Sequence, residues 1–170
     1  LARSTDGGET WTSWKPGSYA GSPSPIDPQP GPGGVDFSAS GFVLRVEGAG
    51  YHGNQAARWF WSADRGSSWK GPFEFSGLLR HSELDGKEFT ARTAYLIEGP
   101  DTLLLFMTVR DPATQPGLRV TLTDKTFLAR TRDGGSSFDF VSWVVPWNDP
   151  HRAAMPAPVR LSDLCLLAAI

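Results

Sequence analysis

The chain has 170 residues, 39% hydrophobic, 12% aromatic and 20% charged, with a formal net charge of −2. That composition describes one globular unit able to bury roughly 70% of its extended-chain surface, and it excludes a disordered chain, a collagen-like repeat and a disulfide-stapled miniprotein. Sixteen basic against eighteen acidic side chains leave no positive field for sequence-independent nucleic-acid binding.

From the N-terminus, Leu1-Ala2-Arg3 carries neither an initiator methionine nor a charged-then-apolar leader, and the chain is expected to be a piece of something longer. Eleven of the twenty residues 15–34 are Gly or Pro, a linker-like composition that is read here as an ordered crossing between sheets. Short apolar runs bounded by turn residues follow at 42–46, 58–61, 103–109, 141–145 and 164–170, and Leu118, Val120 and Leu122 alternate with polar neighbours. These are strand signals, and apolar residues at helical three-and-four spacing are almost absent, so the fold is all-β. The run at 164–170 is too short to span a bilayer. Cys165, the single cysteine, excludes an internal disulfide and any cysteine-cluster metal site.

Three octets align along the chain: Ser4-Thr5-Asp6-Gly7-Gly8-Glu9-Thr10-Trp11, Ser62-Ala63-Asp64-Arg65-Gly66-Ser67-Ser68-Trp69 and Thr131-Arg132-Asp133-Gly134-Gly135-Ser136-Ser137-Phe138. Each reads hydroxyl, any, Asp, any, Gly, any, hydroxyl, aromatic, a pattern that average residue usage would produce at on the order of one in 100,000 start positions. Such an octet closes a hairpin: Asp accepts from backbone N–H groups ahead of it, Gly supplies a positive φ, and the terminal ring drops onto the apolar layer. Turn architecture accounts for these Asp residues, because the Asp-x-Asp-x-Asp spacing of a calcium loop is missing. The octets begin 58 and 69 residues apart, and tight-turn signals at 40–41, 99–101 and 162–163 repeat with a similar period. Each unit is therefore strand, tight turn, strand, loop, strand, octet, strand, which is the four-stranded antiparallel blade of a β-propeller.

The octet resembles the Asp-box, or BNR repeat. Together with the run from Phe89-Thr90-Ala91-Arg92-Thr93 through Leu104-Leu105-Phe106 to Ala129-Arg130-Thr131, and with the segment from Met155 to Asp163, it makes nearly the whole chain similar to the sialidase-like superfamily. That resemblance implies a six-bladed β-propeller of which about half is present: a part-blade over 1–20, blades at about 35–80 and 89–147, and a part-blade at about 153–170. Open sheet edges and a need for the rest of the propeller follow. The resemblance also implies an exo-glycosidase acting on terminal sialic acid or a related acidic sugar, with a secreted, periplasmic or lysosomal location. The same box occurs in non-enzymatic propellers, so a glycan- or protein-binding propeller is the alternative.

Antiparallel alternation puts the octets and the tight turns on one end of the sheets, and the loops and crossings on the other, where a ligand site is expected. The loops there carry Tyr51, His52 and Asn54, and Arg110 with Asp111; the crossings lead to Asp36, span the polar run 80–92 with Glu83, and include 147–155 with His151 and Arg152. Sialidases of this fold clamp the substrate carboxylate with three arginines and use an Asp as acid/base and a Glu-activated Tyr as nucleophile. Planar guanidinium suits a carboxylate, and a neutral Asp can protonate a leaving oxygen. By that resemblance Arg92, entering an innermost strand, is a clamp arginine, although Thr-Ala stands where the family has Ile-Pro; its other reading is a structural arginine paired with a carboxylate. Asp36, entering the preceding inner strand, is the candidate acid/base or else a turn Asp. Tyr51, His52, Arg110 and Arg152 are candidate sugar contacts. No Tyr and Glu form a nucleophile pair. His52, His81 and His151, 29 and 70 residues apart, lack metal-ligand spacing, and no cofactor motif is present.

Overall fold

A computed structural model describes residues 2–14, 26–48, 57–112 and 123–170. Among the described residues there is no α-helix, and eleven strands form four antiparallel sheets in which every strand lies beside its sequence neighbour. The sheets are β1 (Ala2–Arg3) with β2 (Thr12–Ser13), β3 (Val43–Glu47) with β4 (Arg58–Ser62) and β5 (Lys70–Glu74), β6 (Glu88–Ile97) through β7 (Leu103–Arg110) and β8 (Lys125–Thr131) to β9 (Asp139–Trp143), and β10 (Ala157–Ser162) with β11 (Cys165–Ala169). Two single-turn 3-10 helices, Leu78–Arg80 and Ser82–Leu84, occupy the crossing into β6. The alternating run 118–122 lies outside the described residues.

Among the described residues only the third sheet has the four strands expected of each unit. The middle sheet has three, because the segment around Asp36 is not a strand. Its backbone is satisfied by the last octet instead: Gly34 N donates to Asp133 O at 3.2 Å and Val35 N to Gly134 O at 3.1 Å. The fit depends on glycine, since a Cβ on Gly31 would lie 2.1 Å from Gly135 O.

The three octets share one hydrogen-bond circuit, and all its bonds are local. In the second, Ser62 Oγ donates to Asp64 Oδ1 at 2.7 Å and accepts from Gly66 N at 2.8 Å, while Asp64 accepts from Ser68 N at 2.8 Å and Ser68 Oγ at 2.6 Å. In the third, Thr131, Asp133, Gly135 and Ser137 repeat these contacts at 2.8, 3.1, 3.1 and 2.6 Å. In the first, Ser4 Oγ donates to Asp6 and accepts from Gly8 N, while Thr10 donates to Asp6 through both its N–H and its hydroxyl. The hydroxyl of Ser68 and then its N–H hold the Asp64 carboxyl down at about 2. The same donors at Thr10 take Asp6 lower still. For Asp133 burial is the largest single influence and acts upward, yet the bonds from Ser137 and Thr131 together outweigh it and its pKa is lowered. The invariant glycine of the pattern has φ of 100°, 85° and 87° at Gly8, Gly66 and Gly135, while the position before it is left-handed and tolerates Arg65 at 59°.

The terminal rings behave differently from one another. Phe138 is buried, edge-on to Trp59 at 5.7 Å and to Phe75 at 5.1 Å, and joins the core between the two larger sheets. Trp69 is half-buried beside the Arg45 guanidinium, and Trp11, between the strands of the two-stranded sheet β1–β2, is 65% exposed. The core itself joins Leu44, Val46 and Trp59 of β3 and β4 to Leu103, Leu105, Met107 and Val109 of β7 and to Phe127 and Ala129 of β8. Enclosing Trp59 alone removes ~200 Å² from water, about 5 kcal/mol of apolar transfer. All eight residues of β7 are buried, so both of its faces are covered, and its first five residues, 103–107, form an unbroken apolar run.

Candidate functional site

The ends of the sheets are assigned by contacts. The turn at 40–41 sits on the second octet, with Arg65 N donating to Gly41 O at 2.9 Å, and the turn between β6 and β7 sits on the third, with Gly134 N donating to Asp101 O at 3.0 Å. Octets and tight turns therefore share one end, and the end of β7, the starts of β6 and β8 and the 144–153 crossing share the other, as antiparallel alternation requires.

At that second end lies an ionic cluster. Arg92 stands in a bulge of β6, where the register passes from Thr90 opposite Thr108 to Ala94 opposite Phe106, and its carbonyl accepts from Thr108 Oγ1 at 3.2 Å. Such a bulge re-aims a side chain out of the regular alternation. Arg92 Nη1 is 3.2 Å from Asp124 Oδ2, at the start of β8. The same oxygen accepts from Arg152 Nε at 2.7 Å and Nη2 at 2.6 Å. The carboxylate is 1% exposed, the two arginine side chains 21% and 40%. Two guanidinium groups thus share one buried carboxylate oxygen, and both arginine side chains are partly exposed. Among the described residues the buried Asp124 Oδ1 has no hydrogen-bond partner, and both arginines meet the carboxylate through Oδ2.

A second set of charges flanks the first. Arg110 Nε donates to Glu88 Oε2 at 3.1 Å across the β6–β7 register, Asp111 N donates to Thr123 Oγ1 at 3.4 Å, and Lys87 Nζ lies 3.5 Å from Asp111 Oδ1 and 3.5 Å from the centroid of the Trp147 ring. The structure buries Arg110 to 5% exposure, so this candidate sugar contact is an internal ion pair of the sheet. Both faces of β7 are covered, and its terminal polar residue is enclosed with the rest.

Asp36, the candidate acid/base, is not at this end. It is exposed, accepts from Ser38 N at 3.0 Å and Ser38 Oγ at 2.7 Å, and is followed by Phe37, whose N–H donates to Pro100 O at 2.7 Å on the octet side. The expected inner strand does not form there, and a turn carboxylate results. Tyr51 and His52 lie outside the described residues; Gly48, just before them, packs so closely on β6 that a Cβ would come within 2.5 Å of Phe89 O. His151 is 87% exposed, with Nδ1 3.1 Å from Asp149 Oδ1. The backbone N–H of His151 is the main influence holding the Asp149 carboxyl below the usual range. Glu83 accepts from Trp143 Nε1 at 2.9 Å, a structural contact.

Structure therefore brings together Arg92 and Arg152 and adds Asp124, which sequence reasoning missed. A single acid before an apolar run has no spacing signal, and only the register of β8 against the crossing reveals its partners. Among the described residues no three His, Cys, Asp or Glu side chains converge as a metal site, and no helix is long and apolar enough to cross a membrane. In comparisons with family models, curated proteins and solved structures, the chain matches none.

Proposed function

We propose that this chain is part of a sialidase-like Asp-box β-propeller, that its sheets are blades of that propeller, and that it hydrolyses terminal sialic acid or a related acidic sugar from a glycan. The repeated octet circuit supports the architecture, as do the contacts of β6 with both β3 and β10. The observation that carries the function is the pairing of Arg92 and Arg152 on Asp124 at the end opposite the octets. A sugar carboxylate docked on the outer edges of these guanidiniums gains charge-assisted hydrogen bonds, each worth about 1.5–3 kcal/mol. A second reading, a glycan-binding propeller without hydrolysis, is favoured by one specific observation: Asp36 is engaged with Ser38 on the octet side.

The test uses the native full-length protein. Release of a fluorogenic leaving group from a sialoside is measured beside Arg92→Ala and Arg152→Ala, and binding of free sialic acid is measured in parallel. Turnover that falls at least about tenfold in each folded variant supports hydrolysis. Binding without turnover, weakened in both variants, supports the second reading. Neither turnover nor binding overturns both.

A further inference from the structure

We infer that Lys125 is the positioning residue of Arg152, holding its backbone in place so that its guanidinium meets Asp124 and an incoming anion in one fixed pose. Lys125 is the second residue of an Asp124-Lys125-Thr126 run whose three members all reach the 144–153 crossing. Its side chain leaves β8 and is buried, 2% exposed, with Nζ donating to Asp149 O at 2.7 Å and also to His151 O. A buried ammonium needs acceptors, and these are main-chain carbonyls of the crossing. The His151 carbonyl belongs to the peptide group just before the Arg152 Cα. On the other side of that Cα, Ala153 N donates to Asp124 O at 2.9 Å, and the Ala153 carbonyl accepts from Thr126 Oγ1 at 3.2 Å. Both peptide groups flanking Arg152 are thus tied to β8, which is the kind of support that fixes a functional side chain within a fraction of an ångström.

Arg92 is held by different means, through the β6 bulge and Thr108 Oγ1. Loss of Lys125 therefore loosens one arginine and spares the other. A general loss of stability would not make that distinction.

The experiment compares Lys125→Met, Lys125→Arg and Leu105→Ala with the native protein; Leu105 is fully buried in β7 and serves as a control for destabilisation alone. The rates at which phenylglyoxal modifies Arg152 and Arg92 are read by peptide mass spectrometry, with amide exchange at Ala153 beside them. In Lys125→Met, modification of Arg152 and exchange at Ala153 rise about fivefold or more, Arg92 is unchanged, and Lys125→Arg restores most of the protection. Should Lys125→Met fail to fold, Lys125→Gln, which keeps a neutral donor, takes its place with the same expectation. Unchanged Arg152 reactivity in a folded variant, an equal rise at Arg92, or the same rise in Leu105→Ala overturns the inference. A ligand measurement rests on the function proposed above: affinity for sialic acid falls about tenfold in Lys125→Met. If the native protein binds no sialic acid, that function fails while the reactivity of Arg152 still decides the role of Lys125.

Discussion

Replacing Asp124 by Asn tests whether one buried carboxylate organises the arginine pair. The side chain keeps its size and can still offer an oxygen to Arg92 Nη1 and to Arg152 Nε and Nη2, so what is lost is charge. A hydrogen bond to an ionised partner contributes about 1.5–3 kcal/mol and a neutral one about 0.5–1.5, so each arginine loses roughly 1–1.5 kcal/mol. Two arginines give about 2–3 kcal/mol. Because their side chains are 21% and 40% exposed and water solvates part of each guanidinium, about 2 kcal/mol is the expected cost. For a chain of this length that lowers Tm by about 4–8 °C. Denaturant unfolding of Asp124→Asn, Arg152→Met and the double variant forms the assay. The pair should couple by about 1 kcal/mol, and raising the salt should change the result little, since the carboxylate is enclosed. A cost below about 0.5 kcal/mol, or strict additivity in the double variant, would refute the reasoning.

Three further outcomes follow from the octets. Gly135→Ala is expected to destabilise by about 2–4 kcal/mol, since its φ is 87° and a Cβ would lie 2.6 Å from Trp59 Cη2; thermal unfolding within 1 °C of the native value would contradict this. Arg65→Gly relieves a left-handed residue at φ 59° and should raise stability by roughly 0.5–1 kcal/mol, measured by the same melting experiment. The acid limb of stability carries the sign of depressed carboxyls. Asp6, Asp64 and Asp133 have lowered folded values, so their contribution is complete above the ordinary Asp value of about 4 and is lost as pH falls through the folded values, about 2 for Asp64. Urea midpoints between pH 5 and pH 2 should therefore drop steeply, and Asp64→Asn should flatten that slope.

The parts of the molecule that were legible in the sequence are those whose interactions are local. An octet closes on itself within four residues, so its repetition is visible as text, and the strands it joins follow from short apolar runs. Phe138 and Trp11 occupy the same octet position, yet one is buried and the other 65% exposed, because the neighbouring sheet decides and the octet does not. Asp36 was misplaced for a related reason. Its assignment to an inner strand assumed that every unit builds four strands, whereas the glycines around it let the chain lie against the third octet and satisfy its backbone there.

The site divides along the same line. Which end carries the octets and tight turns was readable, because antiparallel alternation is a rule of topology and needs no knowledge of contacts. The pairing of Arg110 with Glu88 was also within reach, since both close the same register and a covered strand must neutralise its charged end. Asp124 was not, because its partners stand 32 residues before it and 28 after it, on the β6 bulge and on a crossing. A bulge alters the alternation by which a strand residue is assigned to a face, and a crossing has none. Charges meet where those two irregular features converge, so the arginine pair becomes visible only when the β6–β7 register and the carbonyls bound by β8 are known together.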